Sequence, residues 1–243
     1  SCVPLIPVSS IEYRGVCPDV VGRGSSDWLA DAAGYVVPGY VADMVTLLAR
    51  LDAQVVDWVG TSMGGLIGMG LASLSNSPLR RLVLNDVGPA IEAAAIARIG
   101  SYVGQPAHWK TVEEAAAALR LISEGFGPHS DAQWLTLTRP QLKADGDGFK
   151  PHYDPAIALA FKTMSPAMLQ AGEAMAWAAC DRISARTLLL RGKRSDLLSA
   201  ATAKSMGERG PRAELVEFDG VGHAPMLVQP DQVEVVRRFL LSP

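Results

Sequence analysis

The sequence predicts an α/β fold: a mostly parallel β-sheet with flanking helices and a helical segment inserted into it. Three observations lead to this prediction. Apolar runs typical of buried strands alternate with helical patterns in both end regions, the alternation stops over residues 89–179, and a glycine-rich turn joins one strand to the helix after it. Strands that alternate with helices form parallel sheets with right-handed crossovers.

The first part of the sheet is encoded before residue 89. Residues 13–19 predict a short strand that runs into a glycine-containing loop, and residues 40–51 carry apolar side chains at helical spacing. The apolar run 55–59 indicates a buried strand. A second buried strand is expected over residues 81–86, because a Gly-Pro pair stops it.

The middle of the chain carries only helical signals. Capping boxes begin at Thr111 and Ser130. We therefore expect a core made of residues 1–88 and 180–243, with residues 89–179 forming a helical cap over the sheet. In the second core segment, strands are expected at 187–190 and 214–218, followed by a closing helix that begins at Asp231.

A serine stands in the turn Gly60-Thr61-Ser62-Met63-Gly64-Gly65, between a predicted strand and an apolar helix. The pattern G-x-S-x-G in this setting is a nucleophile elbow, in which a strained turn lifts the serine oxygen above the sheet. Side chains at positions 60 and 64 are expected to collide with the neighbouring chain. A phosphate loop is excluded because no Gly-Lys-Ser/Thr follows. The alternative interpretation is a glycine-rich turn with an incidental serine.

A nucleophilic serine needs a base and an orienting acid, and loops after parallel strands meet at one sheet edge. His223 follows the last strand in a glycine-flanked loop, whereas the other three histidines lie in the insertion. We expect His223 to accept the proton of Ser62 and Asp196 to orient the imidazole. Asp86 competes as the acid, but Asp196 follows the strand adjacent to that of the histidine. The backbone N–H of Met63 is the expected oxyanion-hole donor.

From about residue 13 onward the chain resembles the α/β-hydrolase superfamily, within it a bacterial serine esterase-like subgroup with a helical cap. The motifs that carry the resemblance lie at residues 19–28, 60–65, 85–89, 192–197 and 222–225. The resemblance implies an α/β-hydrolase fold and hydrolysis of a small-molecule carboxylic ester through an acyl-Ser62 intermediate. It implies no metal and no cofactor. Members with dehalogenase or epoxide hydrolase activity are disfavoured, because they have aspartate in place of Ser62.

The chain departs from the family pattern at its beginning. The family normally has two or three strands before the position of Tyr13, and these end in a His-Gly loop that supplies an oxyanion-hole N–H. Only twelve residues precede Tyr13 here, without a His-Gly pair. We expect the usual N-terminal strands to be short, missing, replaced or encoded upstream. We also expect residues 3–9 to lie in the sheet near the elbow, with a backbone N–H facing Ser62.

Two alternative functions stay open at this point. The first is a C–C bond hydrolase that acts on a vinylogous diketone with the same triad. The second is a ligand-binding protein with weak turnover on a hydrolase scaffold, which the absent His-Gly pair favours.

Composition limits the partners and the location of the protein. The net charge is −3 without a basic cluster, so nucleic acid is not an expected partner. Three scattered cysteines favour a reducing compartment, and we expect a cytoplasmic protein. No apolar run reaches the roughly 18 residues of a membrane span, and residues 3–8 lack the preceding basic residues of a signal peptide. The sequence leaves the oligomeric state open.

Overall fold

A computed structural model describes residues 13–242, and its central feature is a parallel sheet. The strands are β1 (Val56–Thr61), β2 (Leu79–Asn85), β3 (Leu142–Asp145), β4 (Gly148–Pro151), β5 (Arg186–Gly192) and β6 (Glu214–Phe218). Four of them form one sheet in the order β1-β2-β5-β6, and every neighbouring pair is parallel. β3 and β4 form a separate antiparallel hairpin.

Helices flank the sheet and fill the long connection between β2 and β5. Within residues 13–242 the helices are α1 (Val37–Leu51), α2 (Met63–Ala72), α3 (Ala93–Tyr102), α4 (Val112–Ile122), α5 (Asp131–Thr138), α6 (Ala158–Lys162), α7 (Pro166–Cys180), α8 (Ala200–Glu208) and α9 (Pro230–Leu241). The predicted mostly parallel sheet with flanking helices is thereby confirmed.

The two central strands are apolar on both faces because helices cover both sides of the sheet. On one face, Leu82 and Leu84 of β2 join the core that contains Ile67 of α2. On the other face, Val83 belongs to the core that contains Phe239 of α9. Side chains of successive strand residues point to opposite faces, so one apolar strand supports both cores.

The inserted segment is not solely helical. The structure contains the β3–β4 hairpin, so the expectation of helical signals alone over residues 89–179 is wrong in this part. Asp145 pairs with Gly148, which leaves a two-residue loop in which Gly146 has φ +57°. Two-residue hairpin loops need residues that tolerate positive φ. Each strand has only four residues, which is too short to give a recognisable alternating pattern in the sequence.

The segment before α1 also differs from expectation. Residues 13–19 form no strand, and residues 14–19 are exposed. Gly15 and Pro18 disfavour strand structure there. Two expectations concern residues outside the described range. They are the position of residues 3–9 beside the elbow and the state of the usual N-terminal strands.

A buried carboxylate fixes strand β1 to its surroundings. Asp57 is almost fully buried and accepts hydrogen bonds from Arg80 Nη2 at 2.5 Å and Nε at 3.1 Å. The hydroxyl group of Tyr13 lies 2.7 Å from Asp57 Oδ2 and 2.6 Å from the carbonyl oxygen of Leu240. Burial by itself raises the pKa of Asp57, but hydrogen bonds from Arg80 and Tyr13 outweigh it and hold that pKa below its ordinary value.

We predict that Asp57→Asn destabilises the protein in a pH-dependent way. Hydrogen bonds to a charged acceptor are worth about 1.5–3 kcal/mol, so a loss of about that size is expected at pH 7. Because the folded pKa is depressed, this stabilisation is present above the unfolded value of about 3.9 and disappears as the pH falls through the folded pKa. Urea titrations at pH 7 and pH 3.5 measure the difference. Asp43→Asn, on an exposed face of α1, is the control; an equal loss at both pH values would contradict the charge-based explanation.

Candidate active site

Ser62 connects β1 to α2 in a strained backbone conformation. It has φ 51° and ψ −119°, outside the regions that non-glycine residues normally adopt. Its N–H donates to the carbonyl oxygen of Asn85 at 3.0 Å, so the turn is fixed to the end of β2. Its own carbonyl oxygen accepts from Gly65 N–H at 2.8 Å, which closes the first turn of α2. The expected strand–turn–helix elbow is present in the structure.

Two glycines of the elbow, Gly60 and Gly65, are in close contacts, and one of them, Gly60, is a position where the sequence predicted a collision. A Cβ atom at Gly60 would lie 2.2 Å from the carbonyl oxygen of Gly64, and one at Gly65 would lie 2.4 Å from Val87 Cγ1. Among residues 13–242, no atom lies within 4 Å of a Cβ atom built at Gly64. The predicted collision is therefore found at position 60 and is absent at position 64 in this part of the chain, because the described residues leave space on that side of Gly64.

His223 lies between the elbow serine and a buried carboxylate. Its Nε2 is 3.0 Å from Ser62 Oγ, and its Nδ1 is 2.7 Å from Asp86 Oδ2. The side chain of Asp86 is 0% exposed and that of His223 only 10%. The three side chains therefore form a continuous hydrogen-bonded chain that is largely shielded from water.

The Asp86 carboxylate is held by the end of β5 and the loop after it. Its Oδ1 accepts from Gly192 N–H at 2.9 Å, and its Oδ2 accepts from Ser195 Oγ at 2.6 Å. The backbone N–H of Asp86 donates to Leu190 at 2.8 Å, and the residue has φ 56°. Such a conformation is tolerated by Asp more readily than by most residues. Fixed bonds on both carboxylate oxygens hold the orientation that meets His223.

The structure does not bring Asp196 to His223, and this corrects the expected contact. Asp196 forms a two-pronged ion pair with Arg98 of α3, with Nε–Oδ2 2.6 Å and Nη2–Oδ1 3.0 Å. Its side chain is 46% exposed. Ser195 turns inward to Asp86, and Asp196 turns outward. The adjacency argument failed because the imidazole reaches across the end of β5 to the end of β2.

Asn85 is a residue of the site to which the sequence reasoning assigned no role. Its Nδ2 donates to Thr61 Oγ1 at 2.9 Å and to the carbonyl oxygen of Pro225 at 2.7 Å. One fully buried amide therefore joins the strand before Ser62 to the loop that carries His223. Its position at the end of an apolar strand, directly before Asp86, was a usable signal.

The loop that carries His223 packs against the inserted segment. The N–H of Gly222 donates to the carbonyl oxygen of Gly125 at 2.6 Å. A Cβ atom at Gly125 would lie 3.1 Å from both the backbone nitrogen and the backbone oxygen of His223. On the other side, Arg194 N–H donates to Val221 at 2.9 Å. The backbone around the histidine is therefore held between the loop after β5 and the insertion.

Met63 is the first residue of α2 and directly follows Ser62. The first N–H groups of a helix have no intrahelical partner and favour an anion beside them. A cavity of about 710 Å³ lies along β1, and its lining includes Thr61, Met63 and Gly64, the neighbours of Ser62, but not Ser62 or His223. An oxyanion next to Ser62 could therefore be met by the Met63 N–H. The second donor expected from residues 3–9 lies outside the described residues.

Other reactive groups give no competing site in the described part of the chain. Burial raises the pKa of Cys180 to about 11, so this thiol stays protonated at neutral pH. Among residues 13–242, no three His, Cys, Asp or Glu side chains are placed to hold a metal ion. A search of the same residues finds no helix with the length and hydropathy needed to cross a membrane.

Comparison with known proteins gives consistent matches. The sequence model described as "Alpha/beta hydrolase family" matches residues 4–236. The chain is 51% identical over 232 residues to the 3-hydroxybutyrate-oligomer hydrolase of Cupriavidus necator, covering 94% of this chain and 79% of that protein. It is 28% identical to the 2-hydroxymuconate semialdehyde hydrolase of Pseudomonas sp. strain CF600, covering 90% of this chain and 73% of that protein.

A solved structure supports the same relationship. The crystal structure of an alpha/beta hydrolase from Novosphingobium aromaticivorans matches with a TM-score of 0.84 and 32% sequence identity. The match covers 96% of this chain and 83% of that chain.

We predict that the elbow tolerates alanine at position 64 but not at position 60. Gly60→Ala places a methyl group against the Gly64 backbone and should cost about 1–3 kcal/mol through forced backbone movement. Gly64→Ala adds a methyl group that meets no atom of residues 13–242, in the first turn of a helix where alanine is favoured over glycine, so the melting temperature of this variant should be unchanged or slightly higher. Thermal unfolding of the two variants under identical conditions provides the test. Equal destabilisation of the two variants would show that the close contact at Gly60 does not determine which residues position 60 tolerates.

Proposed function

Because the chain belongs to the alpha/beta hydrolase family, we propose that it is a serine hydrolase that cleaves carboxylic esters through an acyl intermediate on Ser62. The observation that carries this proposal is the hydrogen-bonded chain Ser62–His223–Asp86, with distances of 3.0 Å and 2.7 Å. A serine, an imidazole and a buried carboxylate in this order are the components of nucleophilic acyl transfer.

The proposed reaction assigns one task to each group. His223 Nε2 removes the proton of Ser62 as Oγ attacks the ester carbonyl, and the N–H of Met63 stabilises the resulting oxyanion. His223 then protonates the departing alcohol. A water molecule, deprotonated by the same imidazole, then attacks the acyl-serine. The imidazolium returns this proton to Ser62 Oγ as the acid is released, so both groups are regenerated. Asp86 holds Nδ1 protonated and stabilises the imidazolium that forms in both halves of the reaction.

The substrate class follows from the similarity to the Cupriavidus necator protein, which is named a 3-hydroxybutyrate-oligomer hydrolase. We propose short oligomers of a hydroxy acid joined by ester bonds as the preferred substrates. The proposed cap, residues 89–179, would cover the bound oligomer. The contact between Gly125 and the loop of His223 supports this, because it holds part of the insertion against the triad.

A C–C bond hydrolase is the second candidate, favoured by the similarity to 2-hydroxymuconate semialdehyde hydrolase. It would use the same three side chains, so substrates rather than variants distinguish the two. A ligand-binding protein with weak turnover is the third candidate, and it predicts slow hydrolysis of every substrate.

We predict that Ser62→Ala abolishes hydrolysis of 3-hydroxybutyrate dimers and trimers and of short-acyl aryl esters. The rate should fall by several orders of magnitude with the fold intact, because no other group can form the acyl intermediate. Labelling by a fluorophosphonate should disappear at the same time. Wild-type turnover of a dienoate in preference to all esters would favour the C–C bond hydrolase. Near wild-type ester hydrolysis by Ser62→Ala would rule out the proposed mechanism.

We predict opposite outcomes for the two candidate acids. Asp86→Asn should lower kcat by about 10⁴, since an amide favours the wrong imidazole tautomer. Asp196→Asn removes only a half-exposed ion pair with Arg98, and such pairs contribute about 0–1 kcal/mol, so kcat should stay near wild type. Steady-state kinetics on one aryl ester, with circular dichroism to check folding, compares the pair. A large loss in Asp196→Asn with a small loss in Asp86→Asn would reverse the assignment.

A further inference from the structure

The hydroxyl group of Ser195 has all of its hydrogen-bonding capacity fixed. Its oxygen accepts from Leu197 N–H at 3.2 Å and from Leu198 N–H at 3.0 Å. It donates its single proton to Asp86 Oδ2 at 2.6 Å. A hydroxyl group has one donor and two acceptor positions, so the two backbone donors leave the proton directed at the carboxylate.

Ser195 and His223 share one oxygen of Asp86. Asp86 Oδ2 is 2.7 Å from His223 Nδ1 and 2.6 Å from Ser195 Oγ, while Oδ1 receives Gly192 N–H. Asp86 is fully buried, so water cannot readily take the place of a lost donor. Two donors, the Ser195 hydroxyl group and the His223 Nδ1–H, therefore compete for the negative charge on Asp86 Oδ2.

We propose that Ser195 is a positioning residue of the proposed triad, which fixes the rotation of the Asp86 carboxylate and limits its pull on the imidazole proton. This inference rests on the proposed function, because it assumes that Asp86 orients His223. It assigns a role to the residue directly before Asp196, in the loop where the sequence predicted the acid itself.

Two effects should follow from loss of the hydroxyl group. The carboxylate gains freedom to rotate, which weakens the orientation of His223 and lowers kcat. The charge on Oδ2 is also less neutralised, so the carboxylate favours the protonated imidazole more strongly. A protonated imidazole cannot accept the serine proton, and the acidic limb of the kcat/KM profile should therefore move to higher pH.

The test compares Ser195→Ala with Ser195→Thr, which keeps a hydroxyl group. In Ser195→Ala we expect kcat to fall about tenfold, which corresponds to one lost hydrogen bond of about 1.4 kcal/mol. We also expect its acidic limb to move upward by about half a pH unit. In Ser195→Thr, both kcat and the position of the acidic limb should lie closer to wild type than in Ser195→Ala.

Ser199→Ala is the matched control on the same connection. Ser199 Oγ caps α8 by accepting from Thr202 N–H at 3.2 Å, and no hydrogen bond links it to Asp86. Its loss should lower the melting temperature and leave the pH profile unchanged. A merely structural role for Ser195 predicts the same behaviour in Ser195→Ala.

An activity-independent measurement keeps the proposal testable if Ser195→Ala folds poorly. The proton on His223 Nδ1 can be followed by ¹H NMR in Ser195→Cys, which retains only a weak donor; its resonance should move from the wild-type position. An unchanged resonance with an unchanged pH profile would overturn the positioning role. The proposed function fails separately, if Ser62→Ala keeps near wild-type ester hydrolysis.

Discussion

The buried charge of Asp86 is the constraint on which the arrangement of the site depends. A carboxylate that is 0% exposed must receive hydrogen bonds from the protein, since an unpaired buried charge costs several kcal/mol. Its donors are Gly192 at the end of β5, Ser195 in the next loop and His223 beyond β6. Two separate segments of the chain, the end of β5 with its following loop and the loop after β6, therefore converge on one side chain, and their convergence places the imidazole beside Ser62.

The residue before Asp86 forms similar hydrogen bonds to the elbow. Asn85 accepts Ser62 N–H through its carbonyl oxygen and binds Thr61 and Pro225 through its side chain. The last residue of β2 and the residue after it thus contact the nucleophile segment, the histidine loop and the loop after β5. In a parallel sheet, a central strand has neighbours on both sides, so its carboxyl end can connect groups that an edge strand cannot.

Features set by local structure could be predicted from the sequence. The elbow at Ser62 and the glycine-flanked loop of His223 are such features. The identity of the acid could not be predicted in this way, because it depends on how far the histidine loop reaches across the sheet. Adjacency of strands favoured Asp196, whereas the loop direction places Ser195 inward and Asp196 against Arg98. The short β3–β4 hairpin and the open space at Gly64 were missed because neither leaves a pattern in the sequence.

The insertion contributes to the site through its backbone. Gly125 accepts a hydrogen bond from Gly222 at 2.6 Å, and its Cα has so little space that a methyl group would lie 3.1 Å from the backbone of His223. Both contacts use main-chain atoms, so only a glycine at position 125 allows this approach without displacement. The residues that hold the proposed base in position therefore come from the sheet on one side and from the inserted segment on the other. A change in the insertion can alter the geometry of His223 without touching the sheet.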